Sequence, residues 1–492
     1  MRISIAVATA LLAAGFMSGA GAEERGVLTY HNDAARSGHF VVAGLTWDKA
    51  RALRPDARFA ARVAGHLYAQ PLAWRAPGST TMLITASEDD VVQAFDAHTG
   101  NELWRRAVGT PVPRSSLPCG NIAPLGVTGT PVIDPASEAI YLDAMVQDAN
   151  GSRHRIFGLA LKDGAILPGF PLDVADALRA SGKSFIPRDQ NQRAALTIVE
   201  GTLYVAFSGH FGDCGDYRGW VVGVPLREPG KIASWATRAR GGGIWAPGGP
   251  AAVGRELFFA TGNTFGASTF GDGEAVIRLA PDLHRSEDKR DFFAPSDWRA
   301  LDDRDADLGG SNPVPLDVPR AGGTQALVLA LGKDRKAYLL DRGNLGGIGG
   351  QLAEATVAQS AILTAPAVYP AGEGLFVAFQ APGARCPKGG ESGPTVLQVK
   401  AGAPPTMTTV WCGTARGRGA PMVTTTDGRS NPIVWIPGAE GDNRLHAFKG
   451  DTGEALFASE PLDGLRRFQT LIATEDRLYV GADGRVYAFT FE

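Results

Sequence analysis

The chain has 492 residues, a formal net charge of −3, and 20% charged against 44% hydrophobic residues. The charge is balanced and gives no sign of a nucleic-acid surface, while the apolar share suffices for a large core. With 63 glycines and 32 prolines between short apolar runs, the composition predicts many strands and many turns.

The first 22 residues, "MRISIAVATALLAAGFMSGAGA", carry one positive charge at Arg2, an apolar stretch from Ile3 to Phe16, and then small residues. This is the pattern of a signal peptide cleaved after Ala22, so a periplasmic or secreted location is expected after its removal. The stretch is short for a membrane span, and no later stretch is long and apolar enough to cross a bilayer. Residues 23–56 follow as a capping segment. It contains "TYHNDAARSG" (29–38), in which His31, Asp33 and Arg36 form an unusually polar string.

From residue 57 onward the chain repeats itself. One unit reads as a β run, a turn, a second β run, a third ending in an Ala-x-Asp-x-x-Thr-Gly turn, and a last strand. "AFDAHTGNELW" (94–104) is the clearest copy of that ending. Asp96 and Thr99 have side chains that hydrogen-bond turn backbone, and Gly100 tolerates positive φ. Trp104 is a flat filler suited to the space between two sheets, and Ala94 is small enough to receive a ring from a neighbouring blade. The spacing returns at 447–457, with Phe457 in the tryptophan's place, and the unit at 469–491 stops without its last strand. Weaker copies fill the middle, giving about eight units, the spacing of a propeller. Residues 171–193 and 281–306 read as polar loop insertions.

"ARFAARVAG" (57–65) resembles "ELWRRAVG" (102–109), a last strand with no unit before it. It can complete the final unit, which closes the ring and removes exposed sheet edges. The predicted fold is therefore all-β: an eight-bladed β-propeller of four-stranded antiparallel blades, spanning 57–492 and closed by N- and C-terminal strands. Four cysteines in an exported chain predict disulfides, with three possible connectivities. Cys386 and Cys412 lie in one unit, which leaves Cys119 to pair with Cys214 across two units.

The docking motif resembles that of the quinoprotein alcohol dehydrogenase superfamily, AxDxxTGxxxW. The resemblance runs along nearly the whole mature chain and implies a central channel holding pyrroloquinoline quinone (PQQ) and Ca²⁺. "ATGNTFGAS" (260–268) is similar to the family's GTGN segment and implies Asn263 as a Ca²⁺ ligand. "DRDADLGGSN" (303–312) is similar to the segment that carries the base and implies Asp307 in that role, with Asp305 nearby. "GKDRKAYLLDRGN" (332–344) is similar to the blade whose basic residue touches the quinone oxygens, and implies Lys333 there.

The departures are as informative. The family's adjacent cysteine pair is reduced to Cys119-Gly120, and Cys214 stands where its Ca²⁺-binding Glu would be. A disulfide-bonded cysteine is no Ca²⁺ ligand, and the neighbouring Asp213 and Asp216 point elsewhere on a strand. A Cys119–Cys214 bond across the channel would replace both features with one staple. "QNQRAAL" (190–196), with Gln192 and Arg193, and "GGGIWAPGGP" (241–250) belong to this chain's own variety.

GxSxG and HExxH are absent, and no CxxCH is present to attach a haem, so electrons would leave through a separate acceptor. Two functions stand at this level. One is a PQQ- and Ca²⁺-dependent oxidoreductase acting on an alcohol or sugar. The other is a non-catalytic propeller binding a protein or glycan partner.

Overall fold

In the computed structural model, residues 26–372, 374–387 and 393–491 are described. The leader assigned to 1–22 lies outside them. The strands form eight sheets, one per sequence unit, at 72–107, 132–173, 197–236, 251–294, 314–356, 367–412, 422–458 and 471–490. Within each blade the strands pair antiparallel in chain order. In the first blade the first strand, Leu72–Trp74, is wholly buried and the fourth, Glu102–Ala107, is mostly exposed, so the strands step outward from the ring's axis. Two blades gain a short parallel strand: His39–Val41 beside Met422–Thr425, and Gly347–Ile348 beside Phe292–Ala294.

The ring closes by an N-terminal strand as the sequence predicts, but that strand lies at 54–55, before the predicted 57–65, which runs alongside the last blade without strand pairing. Arg54–Pro55 pairs antiparallel with the last strand, Arg485–Thr490. The chain then follows that strand, with Asp56 N donating to Ala488 O (2.9 Å) and Val63 N to Gly484 O (3.1 Å). Asp56 and Arg477 clamp this seam at 3.1 Å, with side chains 3% and 1% exposed. A buried pair of this kind is costly to break by removing one partner.

The repeated motif serves the seams between blades. Asp96 Oδ1 accepts from His98 N (3.0 Å), Thr99 N (2.8 Å) and Thr99 Oγ1 (2.9 Å). Gly100 has φ 77°, and a Cβ there would lie 2.5 Å from Ala61 N, so the turn packs on the N-terminal chain that runs along the last blade. Trp104 Nε1 donates to Leu161 O of the next blade (2.8 Å), and its ring lies against Gly164. Trp411 repeats this on Gly450 O (2.8 Å) and Gly453. Ala94 is the cross-strand neighbour of Trp104 within its own blade and packs in the core shared with the second blade.

Two sequence expectations change. The stretches 171–193 and 281–306 are more than loops. Each carries its blade's fourth strand, Leu172–Asp173 or Phe292–Ala294, and a short helix, Val174–Ala180 or Trp298–Arg304. Strands of two or three residues hold too few alternating positions to register as a period.

Residues 27–38 of the capping segment line the innermost strands, and the helix Trp47–Arg51 packs at the outer strand of the seventh blade. The stretch 27–38 hydrogen-bonds the first strands of five blades, through Val27 to Ala73, Leu28 to Ile133, Ala34 to Ala252, Ser37 to Val368 and Gly38 to Val423. Arg36 is fully buried and reaches a sixth, donating to Leu196 O (2.8 Å). Tyr30 stacks on His31 at 4.3 Å. Asp33 caps the turn by accepting from Ser37 N (3.0 Å). His31, Asp33 and Arg36 thus hold this stretch together.

Candidate functional site

In an antiparallel blade, the turn from second to third strand and the connection to the next blade emerge on the same face. Asn263 and Lys333 follow the second strands of the fourth and fifth blades, at Glu256–Ala260 and Gly323–Leu331. Trp245 and Asp307 lie in the connections leading into those two blades. The face therefore gathers four side chains that are up to 88 positions apart in sequence (Lys333 minus Trp245).

Asp307 is the hub. It is 2% exposed and sits just past the helix Trp298–Arg304. Its Oδ2 accepts from Trp245 Nε1 (2.9 Å) and pairs with Lys333 Nζ (2.9 Å). Its Oδ1 has only a long contact, 3.4 Å from Asn263 N. Its carbonyl accepts from Lys333 N (2.8 Å), which locks the two loops together. Lys333 Nζ also donates to Asp305 Oδ1 (2.6 Å) and lies 5.2 Å from the centre of the Trp245 ring. The structure thus brings Asp307, Asp305, Lys333 and Asn263 together at one place.

The electrostatics follow from burial. Burial pushes the Asp307 carboxyl above its ordinary range, with Lys333 pulling the other way. Burial would lower the Lys333 ammonium, but Asp307 and Asp305 more than offset it and hold it above its usual value. Glu274 is fully buried behind them, accepts from Leu308 N (2.7 Å), and is pushed well up by burial and by Asp307.

Three contributors were not assigned by sequence reasoning: Trp245, Glu274 and the pairing of Arg193 with Phe468. Arg193 Nε donates to Trp245 O (3.1 Å), and its guanidinium lies 5.1 Å from the Trp245 ring and 5.4 Å from the Phe468 ring. Phe468 holds φ at 70°, a strained conformation for a bulky residue. "QNQRAAL" and "GGGIWAPGGP" were the available signals, without a partner to join them. Gln192 is buried beside this loop.

Both disulfides form as expected, Cys119–Cys214 across two blades and Cys386–Cys412 within one. Cys214 is therefore closed to metal binding. Asp213 accepts from Tyr217 OH (2.6 Å), and among the described residues no group of three His, Cys, Asp or Glu is placed to hold a metal. Ca²⁺ takes six to eight oxygen ligands. Around Asn263 the Asp307 carboxylate already faces an ammonium, an indole N–H and a backbone N–H, and the Asp302 carboxylate is taken by Thr264. This donor set does not fit a resident Ca²⁺ at the position implied for Asn263. A planar anion fits better, because Trp245 offers an aromatic surface and Lys333 and Arg193 offer two cations beside it.

No protein-family model matches the chain, and no characterised protein matches it by sequence. Its fold matches that of solved quinoprotein dehydrogenases. A quinohaemoprotein alcohol dehydrogenase from Pseudomonas putida HK5 aligns over 95% of this chain and 80% of its own, at 13% identity and TM-score 0.67. The enzyme from Comamonas testosteroni aligns over 96% and 81%, at 15% identity and TM-score 0.63. A europium-containing methanol dehydrogenase aligns over 94% and 91%, at 14% identity and TM-score 0.62. Likeness at this identity establishes the eight-bladed β-propeller fold, and function rests on the site.

Proposed function

We propose that this chain is an exported propeller whose channel mouth binds a planar, anionic quinone of the PQQ class and uses it to oxidise an alcohol or sugar without a resident Ca²⁺. One observation carries this reading: a buried carboxylate, Asp307, ion-paired to Lys333 beside the Trp245 ring. Bound there, PQQ would supply the hydride-accepting chemistry. The chain's own residues do the rest. Asp307 Oδ2 is held by two donors, which leaves Oδ1 to take the substrate hydroxyl proton. Its raised pKa makes it a stronger base than an exposed carboxylate. Lys333 places a fixed positive charge where negative charge develops on the ligand. Trp245 is held in place by its indole bond to Asp307. Electrons would pass to a separate acceptor protein.

The Cys119–Cys214 staple favours a second reading, a propeller that binds a protein or glycan without turnover, since it occupies the place of the Glu and of the adjacent cysteine pair. Dye reduction separates the two. The mature protein, loaded with PQQ in EDTA, is expected to reduce an artificial acceptor with at least one member of a panel of alcohols and sugars. Binding of PQQ with no reduction across the panel would favour the second reading.

A further inference from the structure

In the first blade, the turn between second and third strands reads Ser87-Glu88-Asp89-Asp90. Glu88 and Asp90 are both 0% exposed. Glu88 Oε2 accepts from Gly126 N (2.8 Å) in the connection to the second blade. Glu88 Oε1 and both Asp90 carboxylate oxygens have no hydrogen-bond partner. Thr128 Oγ1, also buried and unpartnered, faces Glu88. The backbone at Gly126 completes a cradle. A Cβ there would lie 2.5 Å from Glu88 O and 2.6 Å from Asp90 Oδ1, so the two oxygens converge where only glycine leaves room. Two adjacent buried carboxylates with a single donor between them are expensive unless a positive charge joins them. Without one, burial and neighbouring carboxylates (Asp89 for Glu88; Glu88 and Asp143 for Asp90) push Glu88 to about 7 and Asp90 to about 9.

We propose that Glu88, Asp90, the Glu88 carbonyl and Thr128 form a Ca²⁺ site between the first and second blades. The donors are all hard oxygens, and two carboxylates balance a divalent charge. A set of this kind, mixing carboxylates, a carbonyl and a hydroxyl, suits the flexible shell of Ca²⁺ more than the strict octahedron of Mg²⁺. The ion ties the first blade to the connection that carries Cys119, and so to the staple at the channel mouth. It is independent of the quinone reading, which places no metal at Asn263.

Equilibrium dialysis of the metal-free mature chain against radioactive Ca²⁺ tests this. One ion per chain is expected in the wild type and in Asn263→Ala, and none in Asp90→Asn or Glu88→Gln. Both amides keep the side-chain size, and near-ultraviolet circular dichroism checks their fold. Ca²⁺ is expected to raise the melting midpoint of the wild type and leave theirs unmoved. Zero ions per wild-type chain at millimolar Ca²⁺ would overturn the proposal, as would an infrared band of a protonated carboxyl at neutral pH in saturating Ca²⁺ that Asp90→Asn removes. Binding that persists in both amide variants would overturn the site assignment.

Discussion

The turns at Ser87–Asp90 and Gly332–Arg335 occupy corresponding places in the first and fifth blades, on opposite sides of an eight-membered ring. Their backbones share a left-handed residue, Asp90 at φ 57° and Arg335 at φ 69°. Their charges are handled differently. Lys333 finds Asp307 at 2.9 Å and Asp305 at 2.6 Å. Glu88 and Asp90 find one backbone N–H between them and leave three oxygens bare. The repeat architecture supplies a four-residue turn at this place in both blades, and the side chains placed on it decide what each copy does. The fifth blade's turn is complete with protein partners and holds its cation against two carboxylates of the preceding connection. The first blade's turn is complete only with something added.

That contrast gives measurable consequences. The largest is in activity. Asp307→Asn is expected to lower dye reduction by roughly a hundredfold to ten-thousandfold while PQQ still binds, the range for losing a general base. Next is stability. Lys333→Ala strands the buried Asp307 charge and should cost about 3 kcal/mol or more in urea unfolding, whereas Glu88→Gln in EDTA should be neutral or stabilising. Equal losses in both variants would erase the distinction between the turns. Removing the staple with Cys119→Ser and Cys214→Ser together should cost about 2–4 kcal/mol and loosen both regions, read by melting under non-reducing conditions. The smallest effect is in pH. The folded-state pKa of Lys333 is raised, so its contribution is fully present below the ordinary lysine value of about 10.4 and is lost as pH climbs through the folded value. Melting in alkaline buffers should show that loss in the wild type and not in Lys333→Ala.

Much of the fold was legible in the sequence because seams repeat. The spacing from Ala94 to Trp104 recurs at 447–457, and the stray segment at 57–65 pointed to closure at the C-terminus, although the paired strand itself falls at Arg54–Pro55. The segments holding Asn263, Asp307 and Lys333 could be placed by their local strings. Trp245, Arg193 and Phe468 could not, because each comes from a different connection and they meet only when the ring closes. Glu88 and Asp90 were illegible for another reason. An acidic turn reads as a solvated one, and only the packing of Gly126 over it shows that water is excluded.

The central claim is that the channel mouth takes a quinone through Lys333 and Trp245 without Ca²⁺. Titration of the mature protein with PQQ in EDTA, followed by quenching of tryptophan fluorescence, tests it most directly. Saturation at one PQQ per chain, abolished in Lys333→Ala and unchanged by added Ca²⁺, is the predicted result. No quenching at saturating PQQ, or binding that appears only with Ca²⁺ and is lost in Asn263→Ala, would contradict it.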